Sequence, residues 1–237
     1  MSSAKTEITW LGHATMHIRT FGGKTILIDP WVTSNPSCPE EWKSIDRCDI
    51  ILVTHAHFDH IADVIPIAEK TGAVVVGIVE LLSWLQKKGV TNQQSMNKGG
   101  TLHIGDIAIT MVHADHSCGI TDGEDILYGG EAVGFVVTLE DGTVFYHAGD
   151  TNVFGDMELI AELYAPKLVM IPIGDHYTMS PKEAARAVRL LRPKEVMPMH
   201  FGTFPILPGT PGHLRSLLED MPGVTIHDLN PGDMITI

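Results

Sequence analysis

The hexapeptide His55-Ala56-His57-Phe58-Asp59-His60 puts three imidazoles and one carboxylate into one short segment. Imidazole nitrogen and carboxylate oxygen are preferred protein ligands of zinc and related divalent ions. The segment follows an apolar run, Ile50-Ile51-Leu52-Val53, that reads as a buried strand. Alternation along extended backbone points His55 and His57 to the same side. Asp59 and His60 fall on the turn into a following helix and approach from another direction. Such a turn can serve two metal ions rather than one. The plainer reading, two surface histidines beside a helix-capping aspartate, leaves this combination of ligand types without a use.

Four further segments place an acidic or histidine residue just after a predicted strand. Asp29 follows Thr25-Ile26-Leu27-Ile28. His113-Ala114-Asp115-His116-Ser117 follows an alternating run at 107–112. Asp150, in His147-Ala148-Gly149-Asp150-Thr151, follows a hairpin whose strands are expected at 133–139 and 143–146. His200 follows Glu195-Val196-Met197-Pro198. Asp29 is expected to orient a ligating imidazole rather than to bind metal. His13 and His176 are candidates to face a substrate, with His176 preferred because its loop enters a helix beside the site. His147, three residues before Asp150, is expected either to support a ligand from behind or to be structural.

The elements that must carry these residues are read from periodicity and turn chemistry. Strands are expected at 6–10, 16–19, 25–28, 49–54, 73–76, 168–171, 195–198 and 224–227. A short strand is also expected within 95–106. Helices are expected at 61–70, 79–88, 154–164, 181–191 and 213–219. Pro66 sits awkwardly inside the first helix. Ser180-Pro181-Lys182-Glu183 is a strong helix start, with a capping serine, a proline in the first turn and a glutamate to close the box. Residues 31–48 and 118–131 read as loops, and Met1-Ser2-Ser3-Ala4-Lys5 as a short tail. The stretch 23–29 echoes 142–150, and each leads through a buried strand to a histidine-bearing loop. This suggests two similar β/α halves packed sheet on sheet.

At 237 residues, 44% of them hydrophobic and 19% charged, the chain is expected to form one α/β domain over 1–237. The formal net charge of -13 argues against a nucleic-acid partner, which would need a basic footprint. No apolar run reaches membrane-spanning length and no signal-peptide pattern opens the chain, so no membrane partner is expected. The 3 cysteines form no paired framework, which makes the reducing cytoplasm the expected compartment.

Taken in order, Asp29, the His55–His60 segment, His116, Asp150 and His200 resemble the five motifs of the metallo-β-lactamase superfamily, and they span most of the chain. Trp10-Leu11-Gly12-His13-Ala14-Thr15, Gly174-Asp175-His176-Tyr177-Thr178-Met179 and Pro198-Met199-His200-Phe201-Gly202-Thr203 look like a group of small metal-dependent hydrolases within it. That group is similar to the ascorbate-6-phosphate lactonase and N-acyl-phosphatidylethanolamine phospholipase D branches. The resemblance implies a four-layer αββα sandwich with its metals at one edge between the sheets. It implies two divalent ions, zinc first and manganese or iron as alternatives. His55, His57 and His116 would hold one ion; Asp59, His60 and His200 the other; Asp150 would bridge them. His113 is closer to its strand end than His116, and the pattern of histidine followed by serine favours His116.

What the resemblance implies chemically is hydrolysis of an ester-like bond (lactone, carboxylic ester, thioester or phosphodiester) by a metal-bridging hydroxide. Asp59 would move the proton, and His176 would assist the developing oxyanion. The substrate would be a small molecule, and a homo-oligomer is compatible with the sequence. An iron-dependent redox protein, a nuclease and a non-catalytic metal binder are the rival readings. The aspartate at position 150, where the main zinc β-lactamases carry cysteine, weighs against a dedicated β-lactamase. His57, where the flavin-linked di-iron branch carries glutamate, weighs against the redox reading.

Overall fold

The computed structural model describes residues 5–237, and the part of the expected tail at residues 1–4 lies outside them. The first half of the chain forms β1 (Glu7–Trp10), β2 (Met16–Arg19), β3 (Thr25–Ile28), β4 (Ile50–Leu52), β5 (Val74–Ile78) and β6 (Gln93–Met96). Between β4 and β6 lie α1 (Phe58–Ile61), α2 (Val64–Thr71) and α3 (Val79–Lys87). The second half begins with β7 (Thr101–Ile104) and β8 (Ile107–His113), then β9 (Gly119–Asp122) and β10 (Asp125–Tyr128) as a separate hairpin. It continues with β11 (Val133–Thr138), β12 (Val144–His147), α4 (Met157–Tyr164), β13 (Leu168–Pro172), α5 (Pro181–Leu191), β14 (Glu195–Met199), α6 (Pro211–Ser216) and β15 (Thr225–Ile226). The last strand, β16 (Met234–Thr236), returns to the first half and pairs with β1.

Two seven-stranded sheets result, in the orders β16-β1-β2-β3-β4-β5-β6 and β15-β14-β13-β12-β11-β8-β7. Each is antiparallel on one side and parallel on the other. In the first sheet β1, β2 and β3 are antiparallel neighbours and β3 through β6 are parallel. In the second, β8, β11 and β12 are antiparallel neighbours and β12 through β15 are parallel. Alternation splits the second sheet cleanly. Phe135, Val137, Leu168 and Met170 join the core shared with the first sheet, which holds Ile8, Met16, Ile18 and Leu27. Val136, Val169 and Ile171 face a second core closed by Ala184, Val188 and Leu191 of α5 and Leu214 of α6. Helix, sheet, sheet, helix is the four-layer αββα order, and it covers both faces of the inner strands, which are buried along their whole length.

Most elements stand where periodicity placed them, with local differences of physical interest. The helix expected at 61–70 is two pieces, broken at Ala62–Asp63 rather than at Pro66. Pro66 is the third residue of α2, where its missing N–H has no helical acceptor to lose. Asp63 at the break is tied elsewhere, its Oδ2 accepting from the backbone N–H groups of Val32 and Thr33 at 2.6 and 3.0 Å. The expected loop at 118–131 instead contains the β9–β10 hairpin. Asp122 pairs Asp125 across a two-residue turn in which Gly123 takes φ 67°. The turn signal was Asp122-Gly123 between apolar runs. α5 starts as the capping box required: Ser180 N donates to Glu183 Oε2 at 2.8 Å. Among the described residues no helix is long and apolar enough to cross a membrane.

Candidate metal centre

Strand direction assembles the site. β1 and β3 both pair antiparallel with β2, so they run the same way, and β4 is parallel to β3. In the other sheet β8 and β12 run the same way for the same reason, and β14 follows through β13. Each of these six strands hands its next residues to its own C-terminal end: His13 after β1, Asp29 after β3, His55 after β4, His116 after β8, Asp150 after β12 and His200 after β14. The crevice outside the carboxyl ends of strands is where open α/β sheets bind their ligands. The turns are tight. His13, Asp29 and His200, none of them glycine, adopt φ of 55°, 49° and 56°. Such backbone persists only where the surrounding structure over-determines it.

One group of ligand atoms comes from His55, His57 and His116, all within 4.8 Å of one another. His55 Nε2 and His57 Nδ1 are 3.0 Å apart. A second group, equally tight, comes from His13, Asp59, His60 and His200. Asp150 lies between the groups. Its Oδ2 is 3.0 Å from His200 Nε2, 3.4 Å from His60 Nε2, 3.8 Å from His116 Nε2 and 3.9 Å from His55 Nε2. The structure thus brings together all seven residues expected to hold metal, and adds His13. His13 Nε2 is 2.9 Å from Asp59 Oδ2, and its Nδ1 is 3.0 Å from Thr203 Oγ1. Sequence gave no reason to place His13 against Asp59, because the contact depends on β1 and β4 ending at one edge.

His113 goes elsewhere. It is exposed at the end of β8, beside Lys98 Nζ at 3.2 Å and edge-on to Phe154. His147 is fully buried and structural, its ring nitrogens paired with Ala14 O at 3.1 Å and Gly149 N at 3.2 Å. His176 is exposed, with its ring edge-on to Tyr177. Tyr177, not His176, lines the cavity over the ligand cluster, so the sequence preference for His176 over His13 is reversed by geometry. The strained turn at Asp175 and His176, with φ of 67° and 55°, decides which neighbour faces inward.

Asp29 is hydrogen-bonded to two of the residues around the cluster. Its Oδ2 accepts from Thr54 Oγ1 at 2.7 Å and faces His60 Nδ1 at 2.8 Å; its Oδ1 accepts from Thr54 N at 2.8 Å. Thr54 Oγ1, its proton given to Asp29, accepts in turn from His55 Nδ1 at 3.0 Å. One carboxylate therefore fixes two tautomers, protonating Nδ1 of both His55 and His60 and leaving both Nε2 lone pairs for a cation. The donor set fits metal. His60 Nε2, His200 Nε2 and Asp150 Oδ1 are buried with no hydrogen-bond partner, which is costly unless an ion completes them.

Electrostatics divide the centre. Burial, then His60 nearby, holds His55 well below its ordinary value; burial also lowers His57 and His116. Burial alone would lower His200 too, but Asp150 outweighs it and pushes His200 up to about 9. Asp150, Asp29 and Asp59 likewise outweigh burial at His60 and raise it well above 6.5. Burial opposes ionisation of Asp59, yet His60, His13 and His200 keep it ionised. The half holding His60 and His200 thus carries a negative field that attracts a proton when no cation is bound.

A pH-dependent order of loading is expected from this. A metal must displace protons from His60 and His200 below their raised values, whereas His55, His57 and His116 are already neutral near pH 7. Affinity at the His60/His200 half should rise by about tenfold per pH unit for each proton displaced, the His200 contribution levelling off near pH 9. Affinity at the other half should change little above neutrality. Calorimetric titration of metal-free protein with zinc at several pH values, in buffers of differing ionisation enthalpy, measures this. Two binding events with the same pH slope would refute the division.

Comparison with known proteins agrees with the fold and places the chain among metal-dependent hydrolases. Residues 24–201 match the family model described as the beta-lactamase superfamily domain. The chain is 55% identical over 227 residues to the UPF0173 metal-dependent hydrolase of Koribacter versatilis, covering 96% of each chain. It is 51% identical over 226 residues to that of Solibacter usitatus, covering 95% of this chain and 97% of the relative. Among solved structures, a novel metallo hydrolase from the hyperthermophilic archaeon Ignicoccus hospitalis superposes with a TM-score of 0.87. It is 35% identical and covers 98% of both chains.

Proposed function

We propose, from the premise that this chain belongs to the beta-lactamase superfamily, that it is a dinuclear metal-dependent hydrolase of an ester-like bond: lactone, carboxylic ester, thioester or phosphodiester. The observation that carries the reading is Asp150 Oδ2, set within 3.9 Å of the Nε2 atoms of four histidines from both ligand groups. One anion so placed is suited to serve two cations at once. His55, His57 and His116 would hold one ion, Asp59, His60 and His200 the other, and Asp150 both. Two divalent cations there, zinc first with manganese or iron as alternatives, would supply Lewis acidity and a water ionised near neutral pH.

The chain's own residues do the rest. Asp59 Oδ2 is aimed by His13 Nε2 at 2.9 Å, and the side chain is 15% exposed to the cavity. A carboxylate kept ionised and in contact with the cavity can take the proton of an attacking water and return it to the leaving group. Ser117 Oγ, 3.3 Å from His57 Nε2, steadies that imidazole from the cavity side. The domain over 1–237 would act on a small molecule, alone or as a homo-oligomer, without nucleic acid or membrane. The three cysteines are free and buried, as suits a reducing cytoplasm.

Metal content and turnover test the reading together. Protein purified without chelator should carry close to two equivalents of divalent metal. It should hydrolyse at least one member of a panel of lactones, aryl esters, thioesters and phosphodiesters. Activity should disappear on chelation and return with added ion. Metal-replete protein with no chelator-sensitive turnover anywhere in the panel would overturn it.

His13 and His176 give a sharper outcome. His13→Ala frees Asp59 Oδ2 and should lower kcat by about 30-fold or more, within the range of misplaced acid–base groups. His176→Ala should change kcat by less than about threefold, since its exposed ring does not line the cavity. Steady-state kinetics on metal-replete variants decide. The reverse order would restore the sequence-based assignment of His176.

A further inference from the structure

The cavity above the ligand cluster has a volume of about 710 Å³, and its lining is chemically lopsided. At its floor are the ligands. Away from them its wall is Phe58, the ring of Tyr177, Phe204, Ile206 and Leu207, and its remaining side-chain polar groups are the neutral hydroxyls of Ser117, Thr121 and Tyr177. Among the described residues lining it, none is lysine or arginine. Phe58, Tyr177 and Ile206 keep 61%, 58% and 46% of their surface open although they surround one hollow. Large apolar side chains left open together mark a surface meant to be covered. Trp31, itself buried, backs this wall, its ring 5.6 Å from that of Phe58 and 6.0 Å from that of Phe204.

We infer that the substrate carries an uncharged, apolar arm, an aryl group or a medium alkyl chain, that lies against this wall. The inference rests on the hydrolase reading above and adds what the enzyme selects. A volume of this size is that of a small-molecule site. Arginine and lysine are the usual side-chain partners of a phosphate or carboxylate remote from the reacting bond, and this wall offers neither. An anionic group placed there would lose its hydration and gain only neutral hydroxyl donors, with no cation to pair with. The chain's net charge of -13 adds a general field against anions. The arm of the substrate is thus neutral, carrying neither a phosphate nor a carboxylate away from the bond that is cleaved.

Matched substrates test this on metal-replete protein. kcat/KM should rise from para-nitrophenyl acetate through butyrate to hexanoate by about fourfold per methylene. The mono-para-nitrophenyl ester of adipic acid, equal in chain length to hexanoate but ending in a carboxylate, should fall at least about tenfold below hexanoate. Ile206→Lys, at an exposed position, should leave metal content unchanged and shift the adipate-to-hexanoate ratio upward by about tenfold. Binding gives a readout independent of turnover. By equilibrium dialysis, the para-nitroanilide of hexanoic acid should bind tighter than the mono-para-nitroanilide of adipic acid, and Phe204→Ala or Tyr177→Ser should erase the difference. Equal turnover of hexanoate and adipate esters, with equal binding of their anilides, would overturn the inference and leave the hydrolase reading intact. A complete lack of chelator-sensitive turnover would instead overturn the hydrolase reading, while the anilide preference would still decide the arm.

Discussion

Asp150→Ala is expected to empty both halves of the metal centre and to lower kcat/KM by about a thousandfold or more, the scale of several kcal/mol of lost charge stabilisation. The expectation follows from position. Asp150 is 2% exposed, and its Oδ2 faces the Nε2 atoms of His55, His60, His116 and His200. Removing it leaves four imidazoles, three of them buried, converging on a space with no shared anion, and two cations held there would repel each other unscreened. Asp150→Asn separates shape from charge. It should keep the fold and one oxygen ligand, yet lose most of the ion beside His60 and His200, where the anionic field is needed most. Elemental analysis after gel filtration, with parallel kinetics, gives the result. Retention of two equivalents by Asp150→Ala would sink the bridging role.

The second large effect concerns a residue expected not to touch metal. Asp29→Ala should destabilise the protein by about 3–5 kcal/mol, because it strands buried donors of Thr54 and His60 at once. It should also weaken metal binding by about 10–100-fold, the usual cost of losing a group that orients ligands. The two effects have different readouts, denaturant unfolding of the metal-free protein and a competitive metal titration. Asp29→Asn should recover part of the stability, since asparagine tolerates the φ of 49° and keeps one acceptor. It should not recover the affinity, because one amide oxygen cannot orient His60 and Thr54 as a carboxylate does. If Asp29→Ala unfolds at the wild-type denaturant midpoint, the proposed support of His55 and His60 is wrong.

Much of this was legible in the residues. Thr25–Ile28, Ile50–Leu52 and Leu168–Pro172 are fully buried strands, and short apolar runs bounded by polar residues announce such strands directly. The start of α5 was legible because a capping box is a purely local arrangement. The hexapeptide announced metal chemistry because four candidate ligands, three imidazoles and a carboxylate, in six residues have few other uses. Other features were hidden for identifiable reasons. The β9–β10 hairpin is short and polar at its turn, so loop composition masked its two-residue connection. β16 is three residues long and gains its place only by pairing with β1 from the far end of the chain.

The sequence by itself determined the donor set, the alternation that makes each sheet two-faced, and the order in which acidic and histidine residues leave their strands. These are local properties, set by side-chain chemistry and by the period of extended backbone. Only the tertiary structure decided which residues meet. His13 reaches Asp59, 46 residues away, and Thr203, 190 residues away, because β1 runs parallel in direction to β3 and β4 and the two sheets close at one edge. Tyr177 rather than His176 faces the cavity because two residues with positive φ turn the chain there. No spacing in the sequence encodes either result. Contacts between distant segments depend on strand direction and sheet closure, and these are fixed by burying the whole apolar interior at once.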